Sequence, residues 1–158
     1  MAKMKTSLTP GPRYEALLEL LRTTETLWNA SRIFFDRWGI SPSQFNVLNI
    51  LRGKPEGMSQ IEVSRMLIMH RSNVTGLVDR LERRRLVARK ENPGDRRVYH
   101  VSLTAAGSKL LEEILPDYYG MAEKIWGDCP AFQAREMAEA LCRIRGNVEQ
   151  LSRGLASR

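Results

Sequence analysis

A chain of 158 residues is long enough to bury a self-sufficient core and suits one ordinary domain or two very small ones. With 42% hydrophobic and 27% charged residues its composition is that of a globular protein. No window approaches the ~20 apolar residues of a membrane span, and Lys3 and Lys5 near the start have no apolar run behind them, so neither membrane integration nor a secretory signal is expected and the default location is the cytoplasm. Of the net charge of +7, +6 falls within residues 65–100, which places a surface for a polyanion rather than describing a generally basic protein.

From Tyr14 to Trp38 the positions Leu17, Leu21, Thr24, Trp28, Ser31, Phe35 and Trp38 recur at alternating spacings of four and three. That is one long amphipathic helix with a single interaction face, ended at Gly39. Ser41-Pro42-Ser43 supplies N-cap candidates and a helix-starting proline for a short helix over about Gln44–Arg52. Gly53-Lys54-Pro55-Glu56-Gly57 is a loop by composition, and Ser59 with Glu62 makes a capping box for a second short helix through Leu67. A third runs from about Arg71 to Arg84. Its Val74, Leu77, Val78 and Leu81 face inward, and Ser72, Thr75, Gly76, Asp79, Arg80 and Arg83 form the opposite, polar face.

The period then changes. Leu86–Lys90 reads as a strand, Asn92-Pro93-Gly94-Asp95 as a turn, and Arg97–Leu103 as a second strand with Tyr99, Val101 and Leu103 on one side. Thr104 is the N-cap expected for a long helix to Trp126, kinked at Pro116, and Pro130 opens the last helix. There Met137, Leu141, Ile144, Val148, Leu151 and Leu155 repeat at spacings of four and three, almost three heptads of seam. The expected fold is mainly α with a small β-hairpin wing: residues 1–12 a flexible N-terminus, 13–39 and 105–158 dimerisation helices, and 40–104 a winged helix-turn-helix lobe. A lobe of that size cannot cover both long helices, which favours a homodimer with Leu17, Leu21, Leu141, Ile144, Val148 and Leu151 in its interface.

Three short helices and a hairpin suit double-stranded DNA, whose major groove admits one helix. Arg71, Ser72, Asn73, Thr75 and Gly76 are placed to enter the groove, Gly76 allowing close backbone approach, with Arg80 and Arg83 reaching phosphates. Arg96 and Arg97 at the hairpin tip are placed for an adjacent minor groove. The run His70–Gly107, with Asp95-x-Arg97 and Leu103-Thr104-x-x-Gly107, resembles the recognition helix and wing of MarR-family transcription regulators. The resemblance implies a homodimer with intertwined terminal helices, a palindromic operator, and repression in the usual case. It also implies a minor-groove role for Arg97, a wing-holding role for Asp95, and a small aromatic or phenolic effector in a pocket for which Trp28, Phe35 and Tyr118 are the candidates. Two positions depart from the family pattern: Arg85 stands where many relatives have glycine, and His70 where a serine N-cap is common.

Rival readings are weaker. Asp79 reads as an ion-pair partner of Arg83 at i+4 rather than a base reader. Cys129 and Cys142 read as structural thiols, with a thiol-based redox regulator of the same fold as the alternative. Two histidines and no CxxC argue against a metal site, and no cofactor is expected. No GxGxxG, GxxxxGKS, GxSxG or HExxH pattern supports an enzyme. A winged helix used only as a protein-interaction module is the remaining alternative.

Overall fold

A computed structural model describes residues 10–68, 73–92 and 95–156, apart from the side chains at 91, 92 and 95–98. The elements are α1 (Pro12–Asp36), α2 (Pro42–Leu51), β1 (Met58–Ser59), α3 (Gln60–Met66), α4 (Val74–Arg83), β2 (Val87–Asn92), β3 (Asp95–Leu103), α5 (Ala105–Trp126) and α6 (Ala131–Ala156). They fall into two compact units, one up to Leu111 and one from Glu112.

In the first unit α1 starts at Pro12, whose missing N–H costs nothing there. Thr24 and Ser31, polar members of its stripe, donate their hydroxyls to the carbonyls of Leu20 (2.8 Å) and Leu27 (2.7 Å). Phe35 is the helix's buried residue and stacks on Phe45 of α2 with ring centroids 4.4 Å apart. It is therefore part of the core. The chain reverses at Gly39 (φ +62°), where Gly39 N–H reaches Asp36 O (2.8 Å) and Ile40 N–H reaches Phe35 O (3.4 Å). That pair of bonds is the Schellman ending, with Phe35 and Ile40 as its apolar contact.

Helix α2 begins two residues earlier than the sequence reading, because Ser41 caps it reciprocally with Gln44 and Pro42 takes the first helical position. Ser59 and Glu62 form the expected box at α3. Bonds to Ser59, its hydroxyl foremost, hold the Glu62 carboxyl below the ordinary glutamate pKa. Phe45, Val47, Leu48, Leu51, Val63, Leu67, Leu77, Val78, Leu81, Val87 and Val101 close the core of the lobe.

The sheet has the order β1-β3-β2, all antiparallel, with Met58 opposite Val101 and Val87 opposite Leu103. β1 was not expected, since a two-residue strand has no period to detect. The hairpin is longer than the sequence reading at both arms, closing with Asn92 opposite Asp95 after a register shift at Glu91 and Asn92. Val101 is buried while Tyr99 is exposed, so the two do not share a covered face along the whole strand: the wing leaves the body beyond Val101.

Thr104 caps α5 as expected, its Oγ1 accepting from Gly107 N–H at 3.0 Å. α5 continues through Pro116 as one helix, with Leu111, Ile114 and Leu115 buried. In the second unit α6 buries none of its residues, and Met137, Leu141, Ile144, Val148, Leu151 and Leu155 all stand exposed.

Candidate nucleic-acid interface

Helix α4 presents its two sides as its sequence requires. Leu77, Val78 and Leu81 are buried, Val74 is half-buried, and Thr75, Asp79, Arg80 and Arg83 are exposed. Asn73, at the N-cap position, makes no capping bond. A Cβ built on Gly76 would lie 2.6 Å from Asn73 Oδ1, so the Asn73 amide occupies the space that the missing side chain leaves. Thr75 donates its hydroxyl to Gln60 Oε1 at the head of α3, 2.9 Å away. Arg71 and Ser72 lie outside the described residues. Asp95, Arg96 and Arg97 lie on β3, at the tip end of the wing, with side chains outside the description.

The acids of α4 are taken up by the wing. Arg89 of β2 bonds the Asp79 carboxylate through Nη2 and the Glu82 carboxylate through Nη1, and its backbone N–H reaches Glu82 Oε1 at 3.2 Å. Asp79 therefore pairs with Arg89 and not with Arg83. An exposed i+4 pair gains only a few tenths of a kcal/mol, whereas Arg89 is largely shielded from water and meets two carboxylates at once. Burial by itself disfavours the Arg89 charge, but the bonds from Asp79 and Glu82 outweigh it and hold the guanidinium pKa above its ordinary value. Arg89 sets one positive charge against the two carboxylates, so that together with Arg80 and Arg83 this end of the lobe keeps a net positive charge.

The three consecutive arginines that follow do three different things. Arg83 stays on the outer face. Arg84 crosses to the end of α1, where Nη1 bonds Gly39 O (2.5 Å) and Nη2 bonds Trp38 O (3.1 Å). Arg85 adopts the left-handed conformation (φ +57°), the one described non-glycine residue at positive φ. Its N–H reaches Glu82 O (2.8 Å) and that of Leu86 reaches Leu81 O (3.0 Å), so α4 ends as α1 does, with arginine where α1 uses Gly39. Thr104 Oγ1 donates to Arg85 O at 2.6 Å and Thr104 N–H donates to Leu86 O at 3.1 Å. A Cβ on Gly107 would sit 2.0 Å from that same Leu86 oxygen. Leu103-Thr104-x-x-Gly107 is thus a physical joint: it seats the start of α5 against the end of α4.

Arg89, Arg84 and Gln60 were missed by sequence reasoning. For Arg89 a signal existed, since strand alternation puts it on the same side as buried Val87, an unusual place for a charge lacking a partner. The expected interface residues Leu17, Leu21, Leu141, Ile144, Val148 and Leu151 are all exposed apolar side chains in the single chain. Trp28 and Tyr118 are half-buried and belong to different compact units. Cys129 and Cys142 are free thiols. Among the described residues no cluster of three or more metal-ligating side chains occurs, and no helix is long and apolar enough to cross a membrane.

Residues 38–98 match the family model described as the MarR family. The HTH-type transcriptional regulator MhqR of Bacillus subtilis is 30% identical over 112 residues, 71% of this chain and 77% of that protein. Among solved structures, the MepR–DNA complex of S. aureus superposes with a TM-score of 0.72 at 19% identity, covering 87% of this chain and 96% of that one. CouR of Rhodococcus jostii RHA1, bound to p-coumaroyl-CoA, superposes at 0.75 with 24% identity, covering 86% and 95%. At those identities the two structures speak for the fold, and the sequence matches speak for descent. This chain belongs to the MarR family of winged-helix, DNA-binding transcription regulators.

Proposed function

We propose that the protein is a cytoplasmic homodimeric repressor of a pseudo-palindromic operator, released by a small aromatic or phenolic effector. Helix α4 of each protomer enters a major groove through Asn73, Thr75 and Gly76 together with Arg71 and Ser72, and Arg80 and Arg83 grip the phosphates. Arg96 and Arg97 at the wing tip take the neighbouring minor groove, with Asp95 holding the wing in shape. The observation that carries this reading is the exposed face of α4, where Arg89 engages both acids and tips the balance of Asp79 and Glu82 against Arg80 and Arg83 to net positive. Dimerisation is supported by α6, whose apolar seam stands exposed, with no cover among the described residues. Two reader helices about 34 Å apart would occupy successive turns of the duplex and occlude polymerase, and a small rotation of the lobes would break both contacts together. Trp28 and Tyr118 are each a candidate contact for the effector, and CouR, a protein of the same fold, is bound to p-coumaroyl-CoA in its structure.

The test is selection of bound fragments from genomic DNA, followed by binding measured across a salt series and by light scattering. Paired half-sites one helical turn apart, a steep fall of log K with log salt, and a dimer mass are expected. Ile144→Glu with Leu151→Glu should give a monomer that has lost tight binding. Failure to enrich any sequence, or binding indifferent to salt, would refute the reading.

A further inference from the structure

Thr75 and Gln60 form a contact that the function above does not use. Thr75 sits in the first turn of α4 on the exposed side, and Gln60 is the first residue of α3, set there by the Ser59 cap. Their side chains meet, Thr75 Oγ1 donating to Gln60 Oε1 at 2.9 Å. A hydroxyl has one hydrogen and two lone pairs, so once that hydrogen is committed to Gln60 the oxygen can only accept. Gln60, having accepted through Oε1, keeps the two N–H donors of its amide, which among the described residues no other group takes. The pair therefore presents an acceptor from α4 beside a donor from α3, with the Thr75 methyl group next to them.

We infer that Thr75 and Gln60 act as one composite reader of a single base pair in each half-site, with adenine as the base it selects. This rests on the placement of α4 in the major groove. In that groove adenine offers an N6 amino donor beside an N7 acceptor, cytosine an N4 amino donor, and guanine two acceptors, N7 and O6. A lone asparagine or glutamine meets adenine with its own oxygen and nitrogen. Here the same two functions are divided between helices: the Thr75 oxygen takes N6–H and the Gln60 amide gives to N7. Guanine would place O6 against an oxygen that has no hydrogen left to offer, and thymine would place O4 there, so both are rejected. Gln60 thereby becomes a specificity-determining residue although it lies outside the recognition helix. It acts on the base directly and also by fixing which way the Thr75 hydroxyl points.

The experiment is selection from a random DNA library by the full-length protein and by three variants, Thr75→Val, Gln60→Ala and Thr75→Ser, each checked for native circular dichroism. The wild type should show one symmetric position per half-site at which adenine is enriched at least about fivefold over guanine. Thr75→Val, which keeps the shape and removes the hydroxyl, should flatten that position and leave the others unchanged. Gln60→Ala should free the hydroxyl to donate, so guanine or thymine gains at the same position. Thr75→Ser should retain the preference for adenine. An unaltered base profile in both Thr75→Val and Gln60→Ala would overturn the composite reader while leaving operator recognition intact. A wild-type protein that enriches no sequence would overturn both.

Discussion

The two Schellman endings offer a matched test of backbone strain. α1 and α4 close with the same two hydrogen bonds and the same pattern of apolar contact, but the left-handed position is Gly39 in one and Arg85 in the other. A left-handed conformation costs a non-glycine residue roughly 1–2 kcal/mol. Arg85→Gly removes that cost and returns part of it, roughly 0.5–1 kcal/mol, through the greater freedom of glycine in the unfolded chain. The Arg85 carbonyl keeps its bond to Thr104 in the variant, because that contact is to the backbone. The net expectation is a gain of about 0.5–1 kcal/mol, or about 1–4 °C in Tm for a chain of this length. Gly39→Ala is the mirror experiment: the new methyl group would meet only the Arg84 guanidinium nitrogens at 3.9 Å, an ordinary contact, so a loss of about 1 kcal/mol comes from the dihedral alone. Both are read by thermal and urea unfolding at one fixed protomer concentration. A lower Tm for Arg85→Gly, or a Gly39→Ala protein as stable as the wild type, would refute the strain argument.

Gly107→Ala should be far more damaging, about 3 kcal/mol, because its methyl group would meet the Leu86 carbonyl, which Thr104 holds in place; urea unfolding measures this. Arg89→Met should leave Asp79 and Glu82 uncompensated near the phosphates and weaken operator affinity about tenfold, while the triple variant that also carries Asp79→Asn and Glu82→Gln should recover most of it; binding titrations at fixed salt decide. The lowered Glu62 pKa means its charged form is favoured in the folded state, so its stabilising contribution is complete above the ordinary glutamate pKa of 4.5 and is lost as pH falls through that value to the folded one. Urea midpoints taken between about pH 3 and pH 6 should therefore fall more steeply for the wild type than for Glu62→Gln.

What could be read from the residues in advance was what neighbouring residues decide. The inward side of α4, the Ser59–Glu62 box, the Thr104 cap and the apolar seam of α6 each depend on spacings of three or four, and all stand where those spacings put them. Contacts between distant segments were not legible. Asp79 looked like a partner for Arg83 because only i+4 neighbours are visible in a helix, yet its partner lies ten residues on, across the helix end. Arg83, Arg84 and Arg85 look alike in sequence, and only the turn between them separates a surface charge, a bracket to α1 and a strained hinge. Phe35 shared the stripe of α1 but lies where α2 crosses it, which made it core. β1 exists only because β3 passes beside it.

The joint of Arg85, Leu86, Thr104 and Gly107, with the Arg89 clamp beside it, bears on how operator preference can be retargeted. Exchanging α4 alone between relatives would leave Asp79 and Glu82 without their counter-charge and could set an incompatible helix end against the Leu86 carbonyl. The smallest portable cassette accordingly runs from the head of α3 to Gly107, carrying reader, wing and hinge together. Length variation is best accommodated at the far end of the hairpin, where the ladder has already shifted register and leaves the body of the lobe.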